Sequence, residues 1–157
     1  MKKRVLTGLL VLLCAFLLLN LLWFGWRYLA YSGFAKGMTR TETSSALFPT
    51  YAAKDGDGFD YTVKYPDYLS LTGNLAVGFP GTDENPFTDG LILWPKLSGG
   101  YEYGVILNSR ETDGTGYMFY IDGQGGAMDA EYEELAEKYR DVIAKLLERA
   151  ESVWKLG

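Results

Sequence analysis

Twenty-two consecutive residues without a charge, Val5 to Trp26, constrain this chain more than any other feature. As an α-helix the run is about 33 Å long, matching a hydrocarbon core of about 30 Å, so it is expected to cross a bilayer once. Amphipathic rings favour the membrane boundary, and Trp23, Trp26, Tyr28 and Tyr31 gather at its C-terminal end with Arg27 beside them. Residues 5–31 therefore read as a transmembrane anchor with an interfacial belt. Lys2, Lys3 and Arg4 crowd the other end, and a compact positive cluster resists translocation. Residues 1–4 are accordingly expected in the cytoplasm and the remainder outside it. Arg27, Lys36 and Arg40 oppose this orientation but are spread out along the chain.

A cleaved signal peptide is the competing reading, because Ala30-Tyr31-Ser32 offers small residues at the required spacing. The apolar core of a signal peptide runs about 7 to 15 residues, shorter than this one, and lacks such a belt. Cys14 follows Leu13 in mid-span, which does not suit lipoprotein processing, and as the only cysteine it leaves the rest of the chain without a disulfide. Asn20 is a polar group within hydrocarbon. It is a candidate for helix–helix contact worth at most about 1 to 2 kcal/mol, or else lies shallow enough to meet water.

Beyond the anchor the 157-residue chain has room for one modest domain. Residues 32–57 show little periodicity and read mainly as a tether, with short ordered pieces allowed at Leu47 to Ala52. Residues 58–157 carry the globular pattern. In Phe59-Asp-Tyr-Thr-Val-Lys-Tyr65 apolar and polar residues alternate, which places Phe59, Tyr61, Val63 and Tyr65 on one face of a strand. Further strands are expected at Tyr68–Leu71 and Leu75–Phe79 around a Gly73-Asn74 turn, and at Leu91–Trp94. A hairpin of Tyr101–Leu107 and Tyr117–Ile121 is expected to form the middle of the sheet.

The period then changes. Tyr132, Leu135, Ala136, Tyr139, Ile143, Leu146, Leu147, Ala150, Val153 and Trp154 recur at three- and four-residue steps, the signature of an amphipathic helix capped by Asp129. The expected class is α+β: an N-terminal transmembrane helix, then a small antiparallel sheet of about 4–6 strands packed against a C-terminal amphipathic helix.

Several chemistries are excluded by inventory. Histidine is absent, which removes Ser-His-Asp and Cys-His catalysis and the usual zinc, copper and haem ligands. No phosphate-binding loop is present, and no cofactor is expected. Between Asp55 and Asp129 twelve acids face only Lys64, Lys96 and Arg110, a balance that is expected to repel nucleic acid and anionic lipid.

Asp-Gly-x-Gly recurs at Asp55, Asp113 and Asp122 and suggests calcium, with Asp57 as a further oxygen donor. The spacing fails that test. Asp60 stands where an EF-hand loop needs glycine and Pro66 where it needs an acid, so tight turns are the simpler explanation and no metal site is assigned.

Hydrolysis would need Ser70, Ser98 or Ser109 beside Lys64 or Lys96, or paired carboxylates among Asp67, Asp89 and Glu102. Nothing in the spacing brings any pair together. Trp94, Tyr103 and Tyr120 are the aromatic residues best placed for display, where they would stack on a cell-wall glycan or form a protein-binding surface. The resulting expectation is a membrane-displayed, non-catalytic binding or accessory module. The alternatives are a small membrane-tethered hydrolase and a calcium-dependent binding module, and the oligomeric state stays open.

Overall fold

A helix apolar on every side has no reason to choose one face for burial in a globular core, and α1, Lys2–Tyr31, is such a helix. It is long and apolar enough to cross a membrane. The computed structural model describes residues 2–42, 44–45, 47–56, 58–81, 87–107 and 116–156, and these divide into two compact units, Met1–Gly33 and Phe34–Gly157.

The second unit is a seven-stranded antiparallel meander in which every strand pairs with its sequence neighbours. The strands are β1 (Thr39–Arg40), β2 (Thr50–Asp55), β3 (Phe59–Lys64), β4 (Asn74–Pro80), β5 (Phe87–Pro95), β6 (Tyr101–Leu107) and β7 (Tyr117–Ile121). The class is the expected α+β, but seven strands exceed the expected 4–6. β1 and β2 account for the excess, since they lie in residues 32–57, where β2 pairs onto the edge of β3 and β1 onto β2.

Two local expectations are corrected. Tyr68–Leu71 alternates in sequence but forms no strand: Leu69 takes a left-handed φ of 62° and Ser70 donates its N–H to the Asp67 carbonyl at 2.8 Å, closing a turn. Gly73 is not a hairpin turn either. A Cβ there would collide with the Lys64 carbonyl oxygen, so glycine is needed where the chain passes close behind β3. The β6–β7 pair is not the sheet's middle, because strict neighbour pairing leaves β7 at one edge and puts β4 at the centre.

The pleat sorts side chains onto two faces. Val77 stands opposite Tyr61 and Leu91, Leu75 opposite Val63 and Leu93, and Val105 opposite Leu91 and Phe119. All eight are buried. Against this face packs α3 (Arg140–Trp154), which buries Ile143, Leu146, Ala150 and Trp154 and lies over β4 and β5. Trp154 meets the Tyr61 ring edge-on at 6.1 Å, and the Lys145 ammonium sits about as close to Phe59 as to Phe79, at 5.5 and 5.4 Å.

The single expected helix is divided. A 3₁₀ turn at Ala130–Tyr132 and the short α2 (Glu133–Lys138) precede α3, with Tyr139 at the junction. The i→i−4 bonds continue across it, Tyr139 to Leu135 and Ile143 to Tyr139, so the apolar period runs on while the backbone bends. Asp129 occupies the cap position of the 3₁₀ turn but makes no side-chain capping bond.

The sheet's other face is managed by glycine and aromatic rings. β5 carries a bulge: Gly78 pairs with Gly90 while Pro80 pairs with Phe87, so two residues of β5 oppose one of β4. The bulge turns Phe87 over Gly78 and Gly90, where a Cβ would lie 2.5 and 3.3 Å from its ring. Trp94 leans in the same way over Gly104, with indole atoms 2.8 and 2.9 Å from a Cβ built there. Large rings laid on glycines cover backbone that no second helix protects.

Candidate functional site

Period-2 geometry decides which aromatic residues can act together. On β5, Leu91 and Leu93 face α3, so Trp94 must face away from it. On β7, Phe119 and Ile121 are buried, so Tyr120 also points to the open face. The two rings meet across β6, with centroids 5.8 Å apart and planes tilted by 52°.

Tyr103 shares the expectation but not the location. It pairs with Leu93 and Ile121 on the helix-covered face, 6.3 Å from the Tyr101 ring. Burial, followed by the negative charge of Glu151 on α3, pushes the Tyr103 phenol above its usual 10.0. Tyr101 is raised as well, by burial first, then by Tyr103 and Glu151. Of the three display candidates, Trp94 and Tyr120 form one site and Tyr103 belongs to the α3 flank.

A shallow cleft of about 570 Å³ opens beside the Trp94–Tyr120 pair. Its walls extend onto two turns, through Leu71 from the β3–β4 connection and Leu97 from the β5–β6 connection, while Lys96 and Glu102 supply polar groups. Leu71 and Leu97 are exposed, at 54% and 64%, and Tyr120 at 48%. Apolar side chains meeting at an open, polar-rimmed concavity suit recognition of a surface or a ring-shaped ligand. Leu71 was missed in the sequence because Tyr68–Leu71 read as a strand, and Leu97 because it falls between the expected strands Leu91–Trp94 and Tyr101–Leu107. The available signal was leucine next to serine in the glycine-containing stretches 65–73 and 96–100.

The hydrolytic candidates do not assemble among the described residues. Lys64 donates to Asp67 at 2.8 Å, and the Ser70 hydroxyl donates to the Thr72 carbonyl at 3.0 Å. Lys96 and Ser98 line the same cleft without a hydrogen bond between them. Asp89 is buried on the α3 side of the sheet and Glu102 faces the open side, so these carboxylates do not converge. Ser109 lies outside the described residues.

For calcium, Asp57 and Asp113 fall outside the described residues, as does the side chain of Asp55. Asp122 is committed to its own turn. Its Oδ1 accepts the N–H groups of Gln124 at 2.8 Å and Gly126 at 2.9 Å, while Gly125 takes a φ of 91°. Among the described residues no three acids or cysteines gather as a metal site would require.

In the first unit the belt residues interact locally. The Arg27 guanidinium lies 4.9 Å from both the Trp23 and Phe24 ring centroids, and those rings meet edge-on at 4.8 Å. Trp26 and Tyr28 follow on the same helix, Tyr28 exposed. Asn20 donates its amide to the Phe16 carbonyl at 2.8 Å, one turn back, so the helix itself supplies a partner for that polar group. Compared with known protein families, curated protein sequences and solved structures, the chain matches none.

Proposed function

We propose that the protein is a single-pass membrane-anchored binding or accessory module without catalysis of its own, with α1 in the bilayer, the N-terminus cytoplasmic and residues 34–157 displayed outside. The observation carrying this reading is the pairing of the half-buried Trp94 ring with the exposed Tyr120 ring, continued by Leu71 and Leu97 into one cleft. The partner is a protein or a cell-wall glycan that stacks on these rings. The anchor contributes by confinement, since a site held near the membrane meets neighbouring partners at high effective concentration.

The test is photo-crosslinking in intact membranes from a photoreactive phenylalanine analogue placed at Tyr120. A discrete adduct is expected, lost in Trp94→Leu, which keeps an apolar cover over Gly104, and in Glu102→Arg. It is expected to persist in Val153→Asp on α3. An adduct pattern indifferent to the two cleft substitutions would overturn the proposal. Orientation is read separately with Lys54→Cys in a Cys14→Ser background, which is expected to react with an impermeant thiol reagent added outside intact cells.

A further inference from the structure

In an antiparallel meander alternate turns fall at the same end of the sheet, and the three turns 41–49, 65–73 and 96–100 share one end here. Each carries exposed leucine: Leu47 at 57%, Leu69 at 71%, Leu71 at 54% and Leu97 at 64%, with Tyr68 at 40%. The connections that join the strands at the other end, 56–58, 81–86 and 108–116, contain by sequence no aliphatic or aromatic residue beyond Pro86. They hold Asp57, Asp83, Glu84, Glu111 and Asp113 against Arg110 alone. Among the described residues, exposed leucines thus gather at the end of the sheet that holds these three turns.

Folding does not explain the leucine end. Leu69 sits at a φ of 62°, where a side chain with a Cβ is strained and Gly or Asn is favoured, and the leucine side chain recovers nothing from burial. Leu97 follows Lys96, Arg40 ends the strand that enters turn 41–49, and Lys64, which ends the strand that enters turn 65–73, is paired with Asp67 of that turn at 2.8 Å. Lys64 and Lys96 are two of the three basic residues between Asp55 and Asp129. Leucines at turn tips match an interface whose core is hydrocarbon, and Lys96 and Arg40 stand just behind them where its rim is phosphate.

Reach favours the same occupant. Seven residues, 32–38, join α1 to β1 and extend at most about 25 Å, whereas a domain of this size is about 35 Å across. A domain held on so short a leash always turns one side toward the headgroups. The geometry points to the leucine-tipped end as that side: the exposed leucines of turns 41–49, 65–73 and 96–100 rest in the interfacial layer of the bilayer that holds α1. The Trp94–Tyr120 cleft then opens at the membrane surface, so what it captures is itself at or near that surface. At the β7 edge of this end the Asp122 turn is polar, which limits the contact to the side bounded by β1 and β6.

This inference rests on the anchored reading above, and one experiment separates the two. The full chain, Cys14→Ser, is reconstituted into vesicles of equal parts phosphatidylcholine and phosphatidylglycerol. Nitroxides are placed singly at Leu12→Cys, Leu97→Cys and Lys54→Cys, and collision with oxygen and with an aqueous nickel complex is measured. The Leu12 and Leu97 labels are expected to favour oxygen, as groups in lipid do, and the Lys54 label to favour nickel. Adding Leu69→Asn and Leu71→Asn is expected to return the Leu97 label to water without lowering the thermal unfolding midpoint, because Asn tolerates the left-handed backbone at position 69. A lipid-buried Leu12 label with an aqueous Leu97 label sinks the docking and leaves the anchor standing. An aqueous Leu12 label defeats both. A Leu97 label shielded from both quenchers with concentration-dependent broadening means that a second copy covers the leucines, which also overturns the docking.

Discussion

Leu146→Ala is the sharpest test of how the sheet domain is held together. Leu146 is fully buried where α3 crosses β4 and β5. The substitution removes three carbon atoms from the core; at about 0.8 kcal/mol per buried methylene the transfer cost alone is about 2.4 kcal/mol. The cavity left under a helix that cannot fully collapse raises the total to about 3–5 kcal/mol. For a domain whose stability is about 5–15 kcal/mol this is a large fraction, and at about 4 °C per kcal/mol the midpoint falls by roughly 12–20 °C. Val153→Ala, on the same helix but 36% exposed, is the control and is expected to stay within about 0.5 kcal/mol. Urea unfolding of the detergent-solubilised chain, followed by near-ultraviolet circular dichroism, reads both. If Leu146→Ala cost no more than Val153→Ala, α3 would not be docked on its own sheet, and its apolar face would have to serve a contact with another chain.

Gly73→Ala should destabilise by a few kcal/mol, because the new methyl meets the Lys64 carbonyl oxygen and lies 2.9 Å from the Pro66 nitrogen, backbone atoms that cannot rotate away; a midpoint within a degree of wild type would refute the close approach. Asp122→Ala should cost about 1–2 kcal/mol by leaving the Gln124 and Gly126 N–H groups without their carboxylate, and calcium at millimolar concentration should leave the wild-type midpoint unmoved. A calcium-dependent rise abolished by Asp122→Ala would restore the metal reading. Tyr101 and Tyr103 have folded pKa values above the unfolded value, so their contribution is fully present below about pH 10 and is lost as pH rises through the raised values. Glu151→Gln should move the folded chain's tyrosinate absorbance titration downward in pH and shrink that alkaline loss of stability, read from urea midpoints; an unchanged profile would remove Glu151 as a cause.

What could be read from the residues depended on whether local pattern or long-range pairing did the deciding. The alternation of Phe59 to Tyr65, the helical spacing from Ile143 to Trp154 and the apolar stretch of α1 are local, and each reappears in the fold. β2 is not local: Thr50-Tyr-Ala-Ala-Lys-Asp55 has no clear alternation, and it becomes a strand because β3 offers an unpaired edge in register. Tyr68–Leu71 failed the other way, since alternation could not reveal that Leu69 would turn left-handed. The site was half legible. The parity that buries Leu93 already turned Trp94 outward, and the parity that buries Val105 already placed Tyr103 inward, but the β5 bulge that turns Phe87 over Gly78 and Gly90 left no mark in the period.

The open face follows from an imbalance in the chain's own inventory. A seven-stranded sheet has two faces to protect, yet the domain supplies one long amphipathic helix, and α3 covers only one of them. Phe87 and Trp94 resolve part of this by lying over Gly78, Gly90 and Gly104, so a ring replaces the missing layer strand by strand. That device ends at β7, where Met118 and Tyr120 stay about half exposed, and at the turns that carry Leu71 and Leu97. If aromatic cover alone were the purpose, the exposed leucines would be neutral to replace with polar residues, and Leu69→Asn would even relieve backbone strain. The remaining apolar surface, Leu69, Leu71, Leu97 and Tyr120, therefore answers to no need of the fold itself, and it is the surface on which the proposed membrane contact and partner site rest.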